Sequence, residues 1–329
     1  MHKLNLILGA ALAGSLFLGA ASAADVTLRI SLQLPMKSHL GQNLQMFEKQ
    51  VEEQSKGAID VEIYDSAQLY KDKEVPAAVG SGSIEAGVAS LTRYVGDISA
   101  VDVFYQPFLL NTPEKVKAAV ARGSIIRDSI DNAILDTGST VLWWQAYGGA
   151  IMLSNGPLKS PADMKGKKVR VFGKTLGDFV TATGGSPTMI SGSEQYLAYQ
   201  RGTVDAGMTG VSGVKSRKLW EVMDTITVTN HADIEFIVVV NTKFWEGLSE
   251  DHREIIADAA KAAEDHVREK VGEIEEGAYA AAKENGMTVY TPNEEEMAAW
   301  VEASKPVYDA FTESAGELGA IVLKAAQEL

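Results

Sequence analysis

The chain repeats itself, and that repetition constrains its fold more than any other feature. Residues 77–90, AAVGSGSIEAGVAS, align with residues 197–210, LAYQRGTVDAGMTG, at a shift of 120. Gly82 falls on Gly202, Ser83 on Thr203, Ile84 on Val204, Glu85 on Asp205, Ala86 on Ala206 and Gly87 on Gly207; Glu74 falls on Glu194. Each copy reads as a helical segment stopped by glycine, then a short strand ending in small residues. Similar units flank both. VTLRISLQL, a helix from about residue 41 to 56 and IDVEIY precede the first copy; KKVRVF, a helix near 176–183 and SPTMI precede the second. Strands alternating with helices of this length form parallel α/β sheets. The expected fold is therefore α/β with two similar lobes, each a mostly parallel sheet flanked by helices.

In open α/β sheets, ligands sit beyond the carboxyl ends of the strands. Facing lobes would then set Ser90 and the Met208–Gly210 stretch on opposite walls of one cleft. Residues 249–286 form a long amphipathic stretch with Ser249 as N-cap and Gly286 as stop, long enough to span both lobes. The expected division is 24–147 for lobe 1, with a return segment near 232–248, and 148–231 for lobe 2, with 287–329. TVYTPNEEEMAAWVEASKPVYDAF, in that last segment, reads as a short strand and a terminal helix.

Residues 1–23 read as an export leader. Lys3 is followed by the uncharged run LNLILGAALAGSLFLG and the cleavage triplet Ala21-Ser22-Ala23. The apolar run is short for a membrane span, and no later segment is long and apolar enough to make one. Cleavage after Ala23 leaves 329 − 23 = 306 residues and, without Lys3, takes the net charge from −14 to −15. An acidic surface of that kind excludes nucleic acid as a partner. Any anionic ligand has to be caught locally, against the overall field.

Catalytic patterns are thin. With no cysteine there is no disulfide framework, thiolate nucleophile or cysteine metal site. Ser212-Gly213-Val214-Lys215 matches S-x-x-K, but the partner motifs are missing. No G-x-S-x-G, Walker loop or H-E-x-x-H occurs, and GSGSIEAG lacks dinucleotide-binding spacing. His39, His231, His252 and His266 are scattered without ligand spacing, so no metal or other cofactor is expected.

Two features point to ligand binding instead. VLWWQAYGG places adjacent tryptophans on opposite faces of a strand, so that Trp144 can reach a cleft wall while core packing claims most of the other aromatics. DMKGKKVRVFG sets Arg170 within an apolar strand-like run. Spacing alone allows an exposed edge position, where lysine would serve equally well. A planar guanidinium is preferred where a carboxylate has to be held by two parallel hydrogen bonds.

These residues carry a family resemblance over essentially the whole mature chain. NGPLKSPADMKGKKVRV, SGSEQYLAYQRGTVDAGMTG, KLWEVMDTITVTNH and FYQPFLL resemble the periplasmic solute-binding proteins of tripartite ATP-independent periplasmic (TRAP) transporters. The resemblance implies a periplasmic binding-protein fold, with two hinged lobes closing on an organic acid and a long helix spanning them. It implies that Arg170 makes a bidentate salt bridge to the substrate carboxylate. The chain departs from the family pattern where Gly149 takes the place of a second arginine, Thr209 replaces an asparagine, and Gly192 stands where sialic-acid binders have an aromatic residue. These changes leave a second carboxylate less supported, so a hydroxylated or aromatic monocarboxylate competes with a C4-dicarboxylate.

The candidate ligand-binding set is Arg170, Thr209, Gly149, Gly192, Ser90, Tyr94, Trp144, His231 and Phe236. The expected function is that of a periplasmic receptor, not an enzyme, that delivers a small organic acid to a small and a large integral membrane subunit for ion-gradient-driven uptake. The alternatives are a binding protein of another transporter type, or an exported enzyme using Glu85, Asp205 or Glu194 as acid or base.

Overall fold

The computed structural model describes residues 24–329; the leader and its cleavage site lie outside the described residues. Ten strands occur among them: β1 (Val26–Ser31), β2 (Ile59–Tyr64), β3 (Ala86–Ser90), β4 (Ser139–Ser154), β5 (Lys168–Val171), β6 (Ser186–Met189), β7 (Ala206–Gly210), β8 (Thr225–Thr227), β9 (Asp233–Asn241) and β10 (Thr288–Tyr290). The 120-residue shift survives folding without slippage. The helix Val75–Gly80 recurs as Gln195–Gln200, β3 recurs as β7, and the single-turn helix Asp72–Glu74 recurs as Gly192–Glu194. Gly82 and Gly202 both take the left-handed backbone that ends their helices, at φ +77° and +63°.

Parallel pairing builds the centre of each half. β1 lies between β2 and β3, and β5 lies between β6 and β7, all parallel. Two antiparallel strands join the halves. β9 pairs with β3 and with residues 139–149 of β4, whose remainder, 150–154, pairs with β7. The 16-residue β4 thus belongs to both sheets. It accommodates the change with register shifts at Val141/Trp143 and Ala146/Gly148, the second sitting where the pairing partner changes.

The long helix runs from Glu250 to Glu284, with Ser249 Oγ accepting the backbone N–H of His252. It packs against β4, the His39–Gln54 helix and the Val211–Arg217 helix, so it contacts both halves. Glu264 on this helix accepts hydrogen bonds from Arg127 and Arg122, fastening it to the first half. The C-terminal segment differs from the expected strand and single helix. After β10 come two helices, Glu294–Ser314 and Gly316–Gln327, broken at Gly316 with φ +63°. The first packs on the Lys174–Ala182 helix, the second on residues 99–105 and the Ile125–Leu135 helix. The segment expected to lie with lobe 2 therefore touches both halves, because its apolar faces have separate surfaces to cover.

The adjacent tryptophans split across the sheet as alternation requires, and both are fully buried. Trp143 packs on Phe47 of the His39–Gln54 helix and Trp144 on Phe104, with ring centroids 4.7 and 5.3 Å apart. Burial of side chains this large contributes about 1.5–3 kcal/mol each. The packing around β4 therefore anchors the strand that both sheets share.

Candidate ligand-binding site

The carboxyl ends of β3, β5 and β7 converge on a small cavity lined by residues of both halves. From β5 comes Arg170. Its Nε donates to the Ile190 carbonyl at 2.9 Å and its Nη1 to the Met208 carbonyl at 2.5 Å. These bonds hold the guanidinium plane but leave Nη2 unbonded, and the group lies 5.1 Å from the centre of the Phe172 ring. Arg170 is only 3% exposed, yet no carboxylate among the described residues lies within ion-pair distance of it. Burial, reinforced by Arg217 and Arg93 and opposed by Tyr199 and Asp72, pulls its pKa from 12.5 down to about 9.

A buried cation without a counter-ion is unfavourable. The two nearest candidates do not relieve it. Asp72 lines the same cavity, but its carboxylate accepts from Ser90 N, Ser90 Oγ and Arg93 Nε at 2.8, 2.7 and 2.5 Å. Tyr199 lies beneath β7, and burial pushes its hydroxyl upward, so it is neutral at pH 7. Gly207 makes this crowding possible, since an added Cβ there would fall 2.1 Å from Tyr199 Oη and 2.9 Å from Arg170 Cβ.

Of the expected set, Arg170, Thr209, Gly192, Ser90 and Phe236 line this cavity together. The other four lie elsewhere. Trp144 turns to the far face of β4, where its Nε1 donates to Asp131 at 2.8 Å. Tyr94 is fully buried in the core of the first half. His231 packs on Phe179 with its Nδ1 2.7 Å from Thr229 Oγ1, and burial lowers its pKa to about 3, a neutral core histidine. Gly149 faces a separate groove beside the long helix, where its N–H donates to Glu275 Oε1 at 2.9 Å. Sequence position put these four near β3, β4 or β9; side-chain direction took Trp144, Tyr94 and His231 to other surfaces, and the Gly149 backbone faces the groove beside the long helix.

Sequence reasoning overlooked several wall residues: Gln33, Leu34, Asp72, Tyr147, Phe172, Ile234 and, above all, Arg217. From the Val211–Arg217 helix, Arg217 donates to the Gly192 carbonyl at 2.9 Å and to Thr209 Oγ1 at 2.8 Å. It too lacks a carboxylate at ion-pair distance among the described residues. A second cation is thus present after all, contributed by a helix and not from the position of Gly149. One local signal was available: Gly213 stands four residues before Arg217, which leaves open the helix face the side chain crosses.

Two contacts close the rim between the halves. Lys71 Nζ lies 2.8 Å from Glu194 Oε1, and Arg93 Nη1 lies 3.7 Å from Met189 Sδ. The arrangement is a closed, positively charged cavity with hydrogen-bond donors on one side and Leu34, Phe172, Ile234 and Phe236 as its apolar lining.

Comparison with known proteins agrees with this geometry. Residues 30–314 match the bacterial extracellular solute-binding proteins of family 7. The chain is 33% identical over 313 residues to the C4-dicarboxylate-binding periplasmic protein DctP of Rhodobacter capsulatus, covering 93% of this chain and 92% of that one. A TRAP periplasmic solute-binding protein of Shewanella oneidensis, solved with bound succinate, superposes with a TM-score of 0.86 at 25% identity, covering 92% and 99%. A Bordetella pertussis extracytoplasmic solute receptor that binds pyroglutamic acid has the same fold, with a TM-score of 0.87 at 21% identity and coverage of 92% and 100%.

Proposed function

The chain belongs to the bacterial extracellular solute-binding proteins of family 7, and we propose that it captures a small organic acid through its carboxylate and delivers it to TRAP membrane subunits. One observation carries the reading: Arg170 is buried in a closed cavity with an open guanidinium edge and no counter-ion. A ligand carboxylate supplies the missing charge and two acceptors, which offsets the desolvation cost. The names of the relatives, spanning C4-dicarboxylates and pyroglutamic acid, support a carboxylate ligand and leave its remainder open.

In this reading the two sheets are lobes that part about β4 and β9 to admit the ligand and close with it inside. The protein acts in the periplasm after its leader is cleaved behind Ala23, and a small and a large membrane subunit receive the ligand. Family 7 is a family of receptors, and the cavity is read here as a receptor site.

A thermal-shift screen of organic acids on the mature chain tests the proposal, because a ligand that binds the native state raises its melting temperature. At least one small carboxylate should stabilise the wild type, and Arg170→Ala should lose that response while remaining folded. A hit that persists unchanged in Arg170→Ala would remove Arg170 from the site. Mass spectrometry of the exported protein should find Ala24 at the N-terminus.

A further inference from the structure

We propose that Arg217 reads an oxygen adjacent to the ligand carboxylate, so that the site prefers a 2-hydroxy monocarboxylate with a short apolar remainder; this rests on the carboxylate reading of Arg170. Arg217 starts on the last turn of its helix and folds back along it. Its Nε donates to the Gly213 carbonyl at 3.2 Å. A Cβ at residue 213 would fall 2.1 Å from its Nη2, so the bare glycine is the slot through which the guanidinium enters the cavity.

The two guanidinium groups are tied to the same two stretches of chain. Arg170 holds the carbonyls of Ile190 and Met208; Arg217 holds the carbonyl of Gly192 and the hydroxyl of Thr209. Those anchors are two residues apart on one stretch and adjacent on the other, so the cations sit side by side and not at opposite ends of the cavity. Carboxylate and neighbouring oxygen are the ligand atoms that match this spacing. A second, distal carboxylate would face Asp72, itself negative and committed to Arg93, and a wall otherwise of apolar side chains with the neutral groups of Ser90, Gln33 and Tyr147. Leaving that charge unpaired is costly.

Hydroxyl is favoured over carbonyl by the group opposite Arg217. Arg217 Nη1 and Gln33 Oε1 both border the bare face of Gly192, where an added Cβ would come within 3.0 and 3.2 Å of them. Gln33 Oε1 is a buried acceptor with no donor. A ligand hydroxyl packed over that face accepts from Arg217 and donates to Gln33, whereas a keto oxygen leaves Gln33 unsatisfied.

The test is calorimetry on the mature chain with matched acids: lactate, pyruvate and propionate; 2-hydroxyisocaproate, its 2-oxo analogue and 4-methylpentanoate; and succinate. In the wild type the hydroxy acid of a series should bind at least about 10-fold more tightly than the acid lacking that oxygen. In Arg217→Met, and in Gly213→Ala, which keeps the charge but closes its path, that ratio should fall below about 3-fold, whatever the change in the plain acid. A ratio that persists in both variants overturns the proposal. Succinate as the tightest wild-type ligand, lost in Arg217→Met, also overturns it, because Arg217 would then hold a distal carboxylate. Arg170→Ala separates the two levels. Uniform loss of every acid in that variant with no hydroxyl preference in the wild type leaves the carboxylate reading standing without this inference. A wild type that binds none of these acids overturns both.

Discussion

Replacing Arg170 with methionine should let the cleft close empty. In the closed cavity the guanidinium pKa falls from 12.5 to about 9, a drop worth about 5 kcal/mol against carrying the charge there. Methionine fills a similar volume without that cost but leaves the Ile190 and Met208 carbonyls without their donor, a loss of about 1–2 kcal/mol each. The net is about 2 kcal/mol in favour of the closed, unliganded form, roughly a 30-fold shift in its ratio to the open form. The chain has no cysteine, so Lys73→Cys and Leu197→Cys, both exposed and near the rim pair Lys71–Glu194, give a specific labelling pair for distance measurement by energy transfer. Wild type should be open until a carboxylate is added; Arg170→Met should be closed with or without it and should bind no acid. The pH dependence has a definite sign. Because the closed-state pKa is depressed, the penalty is fully present below about pH 9 and is relieved as pH rises from there toward 12.5. The gap between wild type and variant should therefore be widest near neutrality and narrow above pH 9. A ligand-free wild type already as closed as Arg170→Met, or a variant as open as the wild type, would refute the reasoning.

Three further outcomes follow from the contacts. Glu264→Ala leaves the buried Arg127 without its main partner and should cost about 3–5 kcal/mol in urea unfolding, with ligand affinity of the folded protein unchanged; a loss under 1 kcal/mol would mean that Asp131 and the Val120 carbonyl suffice for Arg127. Lys71→Met removes an ion pair that bridges the rim at intermediate exposure, and stopped-flow release should speed up by no more than about 5-fold, an effect that vanishes in high salt. Gly207→Ala should displace both Arg170 and Tyr199 and lower acid binding at least 10-fold by calorimetry; normal affinity would mean that β7 shifts to absorb the methyl group.

The sequence by itself determined the repeating α/β units, the caps and the odd residue in the binding strand. The 120-residue register is visible because it is local: a helix, its glycine stop and the strand behind it are written in consecutive residues, and the structure keeps all three in step from 75–90 to 195–210. Ser249 as cap and Arg170 as a cation among apolar neighbours were legible for the same reason. What only the tertiary structure decided is which buried faces became cavity wall. Trp144, Tyr94, His231 and Gly149 all sit on or beside strands that reach the centre of the molecule, yet each faces a different surface, because alternation names two faces of a strand without saying what will dock on either. Arg217 was out of reach for a related reason. Its role depends on Gly192, 25 residues earlier, and on a slot at Gly213 that matters only once the helix has packed against the end of β7. Local periodicity fixes elements, but a cavity forms where separate elements fail to fill the space between them, and that depends on how distant parts of the chain pack together.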